Sequence, residues 1–310
     1  MKTLVFGSLN QDIVYDVDHF GQPGETTKAL RVSKYPGGKG LNQAIAAAKA
    51  GSPVWMAGTI GPDGTWLPDI LENSSANASL VRIAPETGTG TAVIERDPSG
   101  ANRILLDPGA NSQCTPGQIK ETLDRFEPGD LLICQNETNV TSQLLQQAAS
   151  RHMKILFNPA PMTPDIQDLD LSAVTWLAVN ESECARLLET EDQDPLMLCR
   201  LFAARYPETI LLLTLGSRGS VCLDHGKLCF MPAFFVTARD TTGAGDTWLG
   251  YFADGCSRGL SLEEAMKRAS AAAALSVQKE GAASSIPGKQ EVDAFLETHP
   301  LEPKVWQLKN

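Results

Sequence analysis

Asp240-Thr241-Thr242-Gly243-Ala244-Gly245-Asp246 is the stretch around which this chain is organised. Two glycines flank one alanine, so the backbone can turn sharply and approach a ligand closely. Thr247 to Ser257 follows with apolar and small residues at helical spacing. A glycine turn feeding a helix leaves backbone N–H groups free at the helix start, and these donors together with the helix dipole favour an anion. Asp246 stands at the mouth of that site. A carboxylate repels an anion, but it suits the removal of a proton from a hydroxyl attacking a phosphate. The residues alone leave a second reading open, an ordinary helix start with Asp as its cap.

The rest of the chain supplies the setting. Its 310 residues suffice for one large α/β domain, or a domain with an appendage, and 42% hydrophobic content supports a sizeable core. A net charge of −11 argues against a nucleic-acid surface, so phosphate must be held by local groups. No apolar run approaches the roughly 20 residues of a membrane span, and the apolar start at Met1–Ser8 is too brief for a signal peptide. Seven cysteines with no Cys-x-x-Cys pair point to reduced thiols in a cytoplasmic protein, and four dispersed histidines suggest neither a metal site nor a triad.

From about residue 115, strands alternate with helices: strands at 130–134, 154–158, 174–180 and 210–214, helices at 116–126, 142–151, 181–188 and 195–205. This alternation predicts a mostly parallel sheet covered on both faces. Ser8 to Asp12 follows a first strand at Thr3–Gly7, at the edge where open α/β sheets bind ligands. There Asn10 and Asp12 suit the gripping of vicinal hydroxyls, or form an Asx turn. Residues 13–36 and 90–106 are β-prone and interrupted by turns, which suggests a small sheet serving as a lid.

Gly37-Gly38-Lys39-Gly40-Leu41-Asn42-Gln43 is a second glycine run opening a helix. It has neither the phosphate-loop spacing nor the dinucleotide fingerprint, and no strand is expected directly before it. It either lets the backbone approach a sugar, with Lys39 and Asn42 as hydrogen-bonders, or makes a tightly packed helix start. Glu137, Asn180, Glu183 and Thr214–Gly219 all follow strands at the same edge as Asn10 and Asp246. Glu183 suits the ordering of magnesium-bound water. The Ala-rich helix at 261–278 can pack on a neighbour or on an adenine ring.

Taken in order, Gly7–Asp12, Gly37–Ala44, Asn158-Pro159-Ala160-Pro161, Asn180–Glu183, Thr214–Gly219 and Asp240–Asp246 resemble the ribokinase-like carbohydrate kinases over nearly the whole chain. The resemblance implies a three-layer α/β/α fold with a small β-sheet lid. The main domain is expected at residues 1–12, 37–89 and 107–310, and the lid at 13–36 and 90–106. It implies ATP-dependent phosphorylation of a sugar hydroxyl with magnesium. The expected acceptor is the 5-hydroxyl of D-ribose, with deoxyribose, a ketohexose or a nucleoside as alternatives.

On this pattern Asp246 is the base, and Gly243, Ala244 and Gly245 form the anion hole. Asn10, Asp12, Gly38, Lys39, Gly40, Asn42, Glu137 and Asp246 contact the sugar. Asn180, Thr214, Leu215, Gly216, Ser217, Arg218, Gly219, Gly245 and Ser270 contact the nucleotide. Glu183 serves the magnesium, and Asp240, Thr242, Ser276, Lys279, Gly281 and Ser285 fall where the family holds a potassium ion. Ser276 and Lys279 differ from the commonest residues there, and Trp248 stands where a smaller aromatic is usual. Exposed lid edges suggest a homodimer through the lid. A nicotinamide dehydrogenase would need a glycine fingerprint after the first strand, where this chain has Ser8-Leu9-Asn10-Gln11-Asp12.

Overall fold

The computed structural model describes residues 1–308. The chain opens with β1 (Thr3–Phe6), β2 (Asn10–Asp16) and β3 (Arg31–Gly37), then α1 (Lys39–Ala50). Next come β4 (Val54–Ile60), α2 (Leu67–Asn73), β5 (Ala76–Ile83), β6 (Gly90–Arg96) and β7 (Asn102–Asp107). The alternating half follows: α3 (Pro116–Leu123), β8 (Leu131–Gln135), α4 (Thr141–Ser150), β9 (Lys154–Asn158), β10 (Trp176–Asn180), α5 (Glu181–Leu187), α6 (Pro195–Arg205) and β11 (Ile210–Thr214). The hairpin β12 (Gly219–Asp224) and β13 (Lys227–Pro232) precedes α7 (Ala244–Ser257), α8 (Leu262–Ser276), α9 (Lys289–Thr298) and β14 (Lys304–Gln307).

Among the described residues, ten strands form one sheet in the order β14-β13-β12-β11-β10-β9-β8-β1-β4-β5. The run from β5 to β11 is parallel, and β12, β13 and β14 add on antiparallel. Alternate residues of each central strand serve opposite layers. Val5, Ile133 and Leu212 face the layer holding α1, α7 and α8, whereas Leu4, Phe6, Leu132 and Leu213 face the layer holding α3, α4, α5 and α6. That is why these strands read as continuous apolar runs. Strand order reverses at β1, which places β2, α1 and the loop after β8 around one crevice at the carboxyl edge.

Helix starts follow the sequence signals. Asp194 accepts hydrogen bonds from the first turn of α6 ahead of Pro195, and Asn180 with Glu183 closes a capping box on α5. Small residues let α7 cross α1 closely: a Cβ on Gly250 would lie 2.4 Å from Ala46 Cβ. Ala269, Ala271 and Ala272 are fully buried in the same layer.

Four strands form a separate small sheet, β3-β2-β6-β7, beside the crevice. It begins at Asn10, so Asn10 and Asp12 are strand residues rather than members of a loop, and β7 runs on to Asp107. The β3 strand reaches Gly37 and leads almost directly into α1, contrary to the expectation of no preceding strand. The alternation was obscured by Pro36 and by the exposure of both faces of β3. The edge strand β14 also went unforeseen, because four exposed residues after a proline give no burial pattern.

Candidate active site

The site lies where α7 and α1 start. Gly243 caps α7 with φ 73°, a left-handed conformation that suits glycine, and a Cβ there would meet Ala282 at 2.9 Å. Of the expected anion-hole donors, the N–H of Ala244 is spent on Thr241 O at 3.2 Å. Among the described residues, the N–H groups of Gly245 and Asp246 have no protein partner. Gly245 faces open space, with nothing within 4 Å of a Cβ placed on it. The first turn of α7 thus presents two bare donors, with the N-terminal end of the dipole behind them.

Asp246 is 8% exposed. Its Oδ1 accepts a hydrogen bond from Gln43 Nε2 at 2.8 Å, and its Oδ2 accepts one from Asn42 Nδ2 at 3.1 Å. Asn42 Oδ1 is buried without a partner. Glu137 accepts from Ser8 Oγ and, at 3.1 Å, from the N–H of Lys39. Burial raises the Glu137 carboxyl above its usual range, against the pull of the Lys39 charge and these donors. The Asp246 charge, followed by those of Glu137 and Glu183, holds the Lys39 ammonium protonated against the effect of burial. Burial, then the charges of Glu137 and Asp246, push Asp12 up to about 6. Asn111 Nδ2 donates to Asn10 Oδ1 at 2.7 Å while its own Oδ1 accepts the N–H of Leu9, so the Asn10 amide is held by a residue the sequence reading missed.

Three cavities lie along this edge, and two of them adjoin. One of about 180 Å³ is lined by Lys39, Asn158, Asn180, Glu183, Thr214 and Gly243–Asp246. Through Thr241 and Ala244 it adjoins one of about 480 Å³, lined by Gly216, Ser217, Gly219, Ser270 and an apolar wall of Phe234, Phe235, Val236, Trp248, Ala273, Ala274 and Val277. A third, of about 290 Å³, includes Asn10, Asn111, Asn136 and Glu137.

The expected nucleotide residues Asn180, Thr214, Gly216, Ser217, Gly219 and Ser270 therefore line the first two cavities. Leu215 and Arg218 do not: Leu215 is in the core, and Arg218 turns to pair with Glu181. Lys39 lines the small polar cavity rather than the one with Asn10 and Glu137. Gly40 gives its missing side chain to packing, since a Cβ there would lie 2.6 Å from Ser8 N. The Phe234–Val236 loop carried no recognisable motif, although its unbroken apolar run was a signal.

Asp240 Oδ1 accepts from the Thr242 N–H and hydroxyl at 2.9 and 2.6 Å, and its Oδ2 accepts from the Gly281 N–H at 2.9 Å. Burial alone would raise this carboxyl, but these donors hold it below its usual range. The 240–242 segment thus lies against 277–281, and Val277 O also accepts the N–H groups of Arg239 and Asp240. Ser276 and Ser285 turn their hydroxyls onto Ala273 O and Ala282 O. The Lys279 ammonium is 2.9 Å from Glu291, so only its backbone is available to a cation. Among the described residues, no group of three or more His, Cys, Asp or Glu side chains forms a metal cluster.

A buried carboxylate beneath bare helix-start donors, lining a polar cavity that adjoins an apolar one, is the arrangement of a phosphotransferase acting on a hydroxyl. The pfkB family carbohydrate kinase pattern matches residues 2–289, and the chain belongs to that family. It is an ATP-dependent sugar kinase. It is similar to the Haemophilus influenzae protein named ribokinase, 35% identical over 304 residues that cover 96% of this chain and 99% of that one. Among solved structures it is similar to Arabidopsis thaliana ribokinase complexed with ribose and ATP (TM-score 0.87, 28% identity, covering 96% of this chain and 98% of that one). It is also similar to Cryptococcus neoformans ribokinase in complex with ADP (TM-score 0.83, 32% identity, covering 94% and 99%).

Proposed function

We propose that this enzyme phosphorylates the 5-hydroxyl of D-ribose, giving ribose 5-phosphate and ADP. The observation that carries the reading is the placement of Asp246, buried at the start of α7 beside the unpartnered N–H groups of Gly245 and Asp246. The relatives named ribokinase support ribose as the acceptor. The sugar lies against Asn10, Asp12, Asn42 and Glu137, where the orphaned Asn42 Oδ1 supplies an acceptor for one of its hydroxyls. As the 5-oxygen bonds to the γ-phosphorus, its proton passes to Asp246. The bond from that phosphorus to the β–γ bridging oxygen breaks, and ADP leaves with the electron pair.

The α7 donors and the Lys39 ammonium stabilise the charge on the transferring group, usually a large part of such catalysis. Positioning of both substrates supplies much of the remainder. The adenine occupies the larger cavity, against the Phe235–Val236 loop and the small residues of α8.

Glu183, on the wall of the small polar cavity, would help hold a magnesium ion brought in with the triphosphate, a single carboxylate being sufficient when phosphates supply the other oxygens. When bound, the ion neutralises phosphate charge. A potassium ion fits the oxygen-rich junction of 240–242 with 276–285, where its charge would order the loop carrying Gly243. The exposed Val32, Ile104, Leu105 and Leu106 on the small sheet, with Leu30 just before it, support a homodimer formed through that sheet. No helix among the described residues is long and apolar enough to cross a membrane, and seven free cysteines favour the reducing cytoplasm.

The test is ADP release over a panel of pentoses, deoxyribose, ketohexoses and nucleosides. Ribose is expected among the best acceptors by kcat/KM. A clear preference for a nucleoside or ketohexose would overturn the assignment of the acceptor while leaving the kinase chemistry in place.

A further inference from the structure

We infer that Gln43 and Gln135 are a positioning pair that sets the orientation of the Asp246 carboxylate from behind. The inference rests on the reading of Asp246 as the base. Gln43 is fully buried and Gln135 is 1% exposed. Neither lines any of the three site cavities. Gln43 and Asn42 are the buried polar side chains of a helix otherwise packed through Leu41, Ile45, Gly40 and alanines, and at residue 43 a methionine of similar length would fill the space without a polar group to satisfy. The Gln43 amide acts directionally. Nε2 donates 2.8 Å to Asp246 Oδ1 and, at a longer 3.4 Å, to Asn158 Oδ1.

Which end of that amide faces Asp246 is decided one residue further back. Gln135 Nε2 donates to Gln43 Oε1 at 2.7 Å, so the oxygen end is already engaged. Without that donor the Gln43 amide could turn and place its carbonyl against a carboxylate. Gln135 occupies the last position of β8, pressed onto Gly7, where a Cβ would lie 1.9 Å from Gln135 Oε1. That oxygen has no hydrogen-bond partner although it is buried. The fold leaves a gap at residue 7 for this amide and tolerates an unsatisfied acceptor on it, which marks a group kept for its other end. Each carboxylate oxygen of Asp246 accepts one amide hydrogen bond and retains a lone pair for the incoming proton.

The test uses Gln43→Met, Gln135→Met and the double variant in the full-length enzyme, with Asp246→Asn measured alongside. Gln43→Met is expected to lower kcat by about 10–100-fold, the scale of a misplaced catalytic group, with KM for sugar and ATP within about threefold of the parent. Gln135→Met is expected to lose less, and the double variant no more than Gln43→Met alone, because Gln135 acts through Gln43. Should Gln43→Met fail to fold, Gln43→Asn keeps the amide but falls short of Asp246, and the same kcat loss is expected. Parent-like kcat in the Gln43 variant, a loss confined to KM, or additive losses in the double variant would each overturn the pair's role. If Asp246→Asn itself keeps its turnover, the base assignment falls first, and that result is separate from the outcome at Gln43.

Discussion

Two helices in this molecule start from glycine-rich runs that look alike in sequence, and they do opposite things with them. At α1, the N–H of Lys39 goes to Glu137, that of Gly40 to Ser8 Oγ at 3.3 Å, and those of Leu41 and Asn42 to Ser8 O and Gly38 O. Every donor of that first turn is spent within the protein, and the space beside Gly40 is filled by the backbone of Gly7 and Ser8. At α7, the N–H groups of Gly245 and Asp246 are unspent and the space beside Gly245 is open. Glycine before a helix therefore signals close approach without saying what approaches. At α1 it is the chain itself, and at α7 the space is left open, as the proposed phosphate site requires.

The contrast is broken most severely at Asp246, which depends on both helices: α7 carries it and α1 holds it through Asn42 and Gln43. Asp246→Asn is expected to lower kcat by about 10²–10⁴-fold, the usual worth of a positioned base, with little change in melting temperature. Turnover near that of the parent in a coupled ADP-release assay would remove Asp246 from the chemistry. Gly40→Ala comes next and acts on stability. Its methyl meets backbone atoms that cannot rotate away, so about 2–3 kcal/mol is expected to be lost. That loss should lower the melting temperature of a chain this long by roughly 3–5 °C.

Gly245→Ala should do the reverse. Alanine suits a helix better than glycine by roughly 0.5–1 kcal/mol, and nothing in the fold obstructs it. Melting temperature should hold or rise slightly, while kcat/KM for ATP falls about tenfold as the methyl enters the phosphate space; tenfold corresponds to about 1.4 kcal/mol. If Gly245→Ala unfolds the protein, or Gly40→Ala leaves its stability unchanged, the distinction between the two helix starts is lost.

That distinction also marks how far the residues could be read. The parallel sheet was legible because β8 to β11 are buried on both faces and separated by amphipathic helices with clear caps such as Asp194-Pro195. Asp246 stands out in the sequence because a carboxylate at a glycine turn suited to anions is chemically odd, and the structure buries it there. The separate roles of Gly40 and Gly245 were not, since both are glycine and only the folded neighbours differ. Lys39 reads equally well beside a sugar or a phosphate until the position of α1 against Asn180 and Thr214 is known. Arg218 sits in a nucleotide-like motif yet turns to Glu181, a partner 37 residues away that no local pattern announces. The wall at Phe234–Val236 lies in a loop without periodicity, and apolar residues there look like ordinary core.

The smallest effect sharpens the comparison from the small sheet, where Asp12 lies against Gly37 just ahead of α1. Its carboxyl is raised from 3.8 to about 6, first by burial and then by Glu137 and Asp246. A folded-state value above the unfolded one means that the native protein binds this proton more tightly. Stability from this group therefore falls as pH rises from about 4 to 6, and the penalty stands in full above that window. Asp12→Asn removes the titration. It should raise stability by on the order of 1 kcal/mol at pH 7.5 and change it little at pH 4.5, while weakening sugar binding through loss of an acceptor. Denaturant midpoints at the two pH values decide the matter. An equal shift at both would mean that Asp12 carries no penalty for ionising in its buried place beside Glu137 and Asp246.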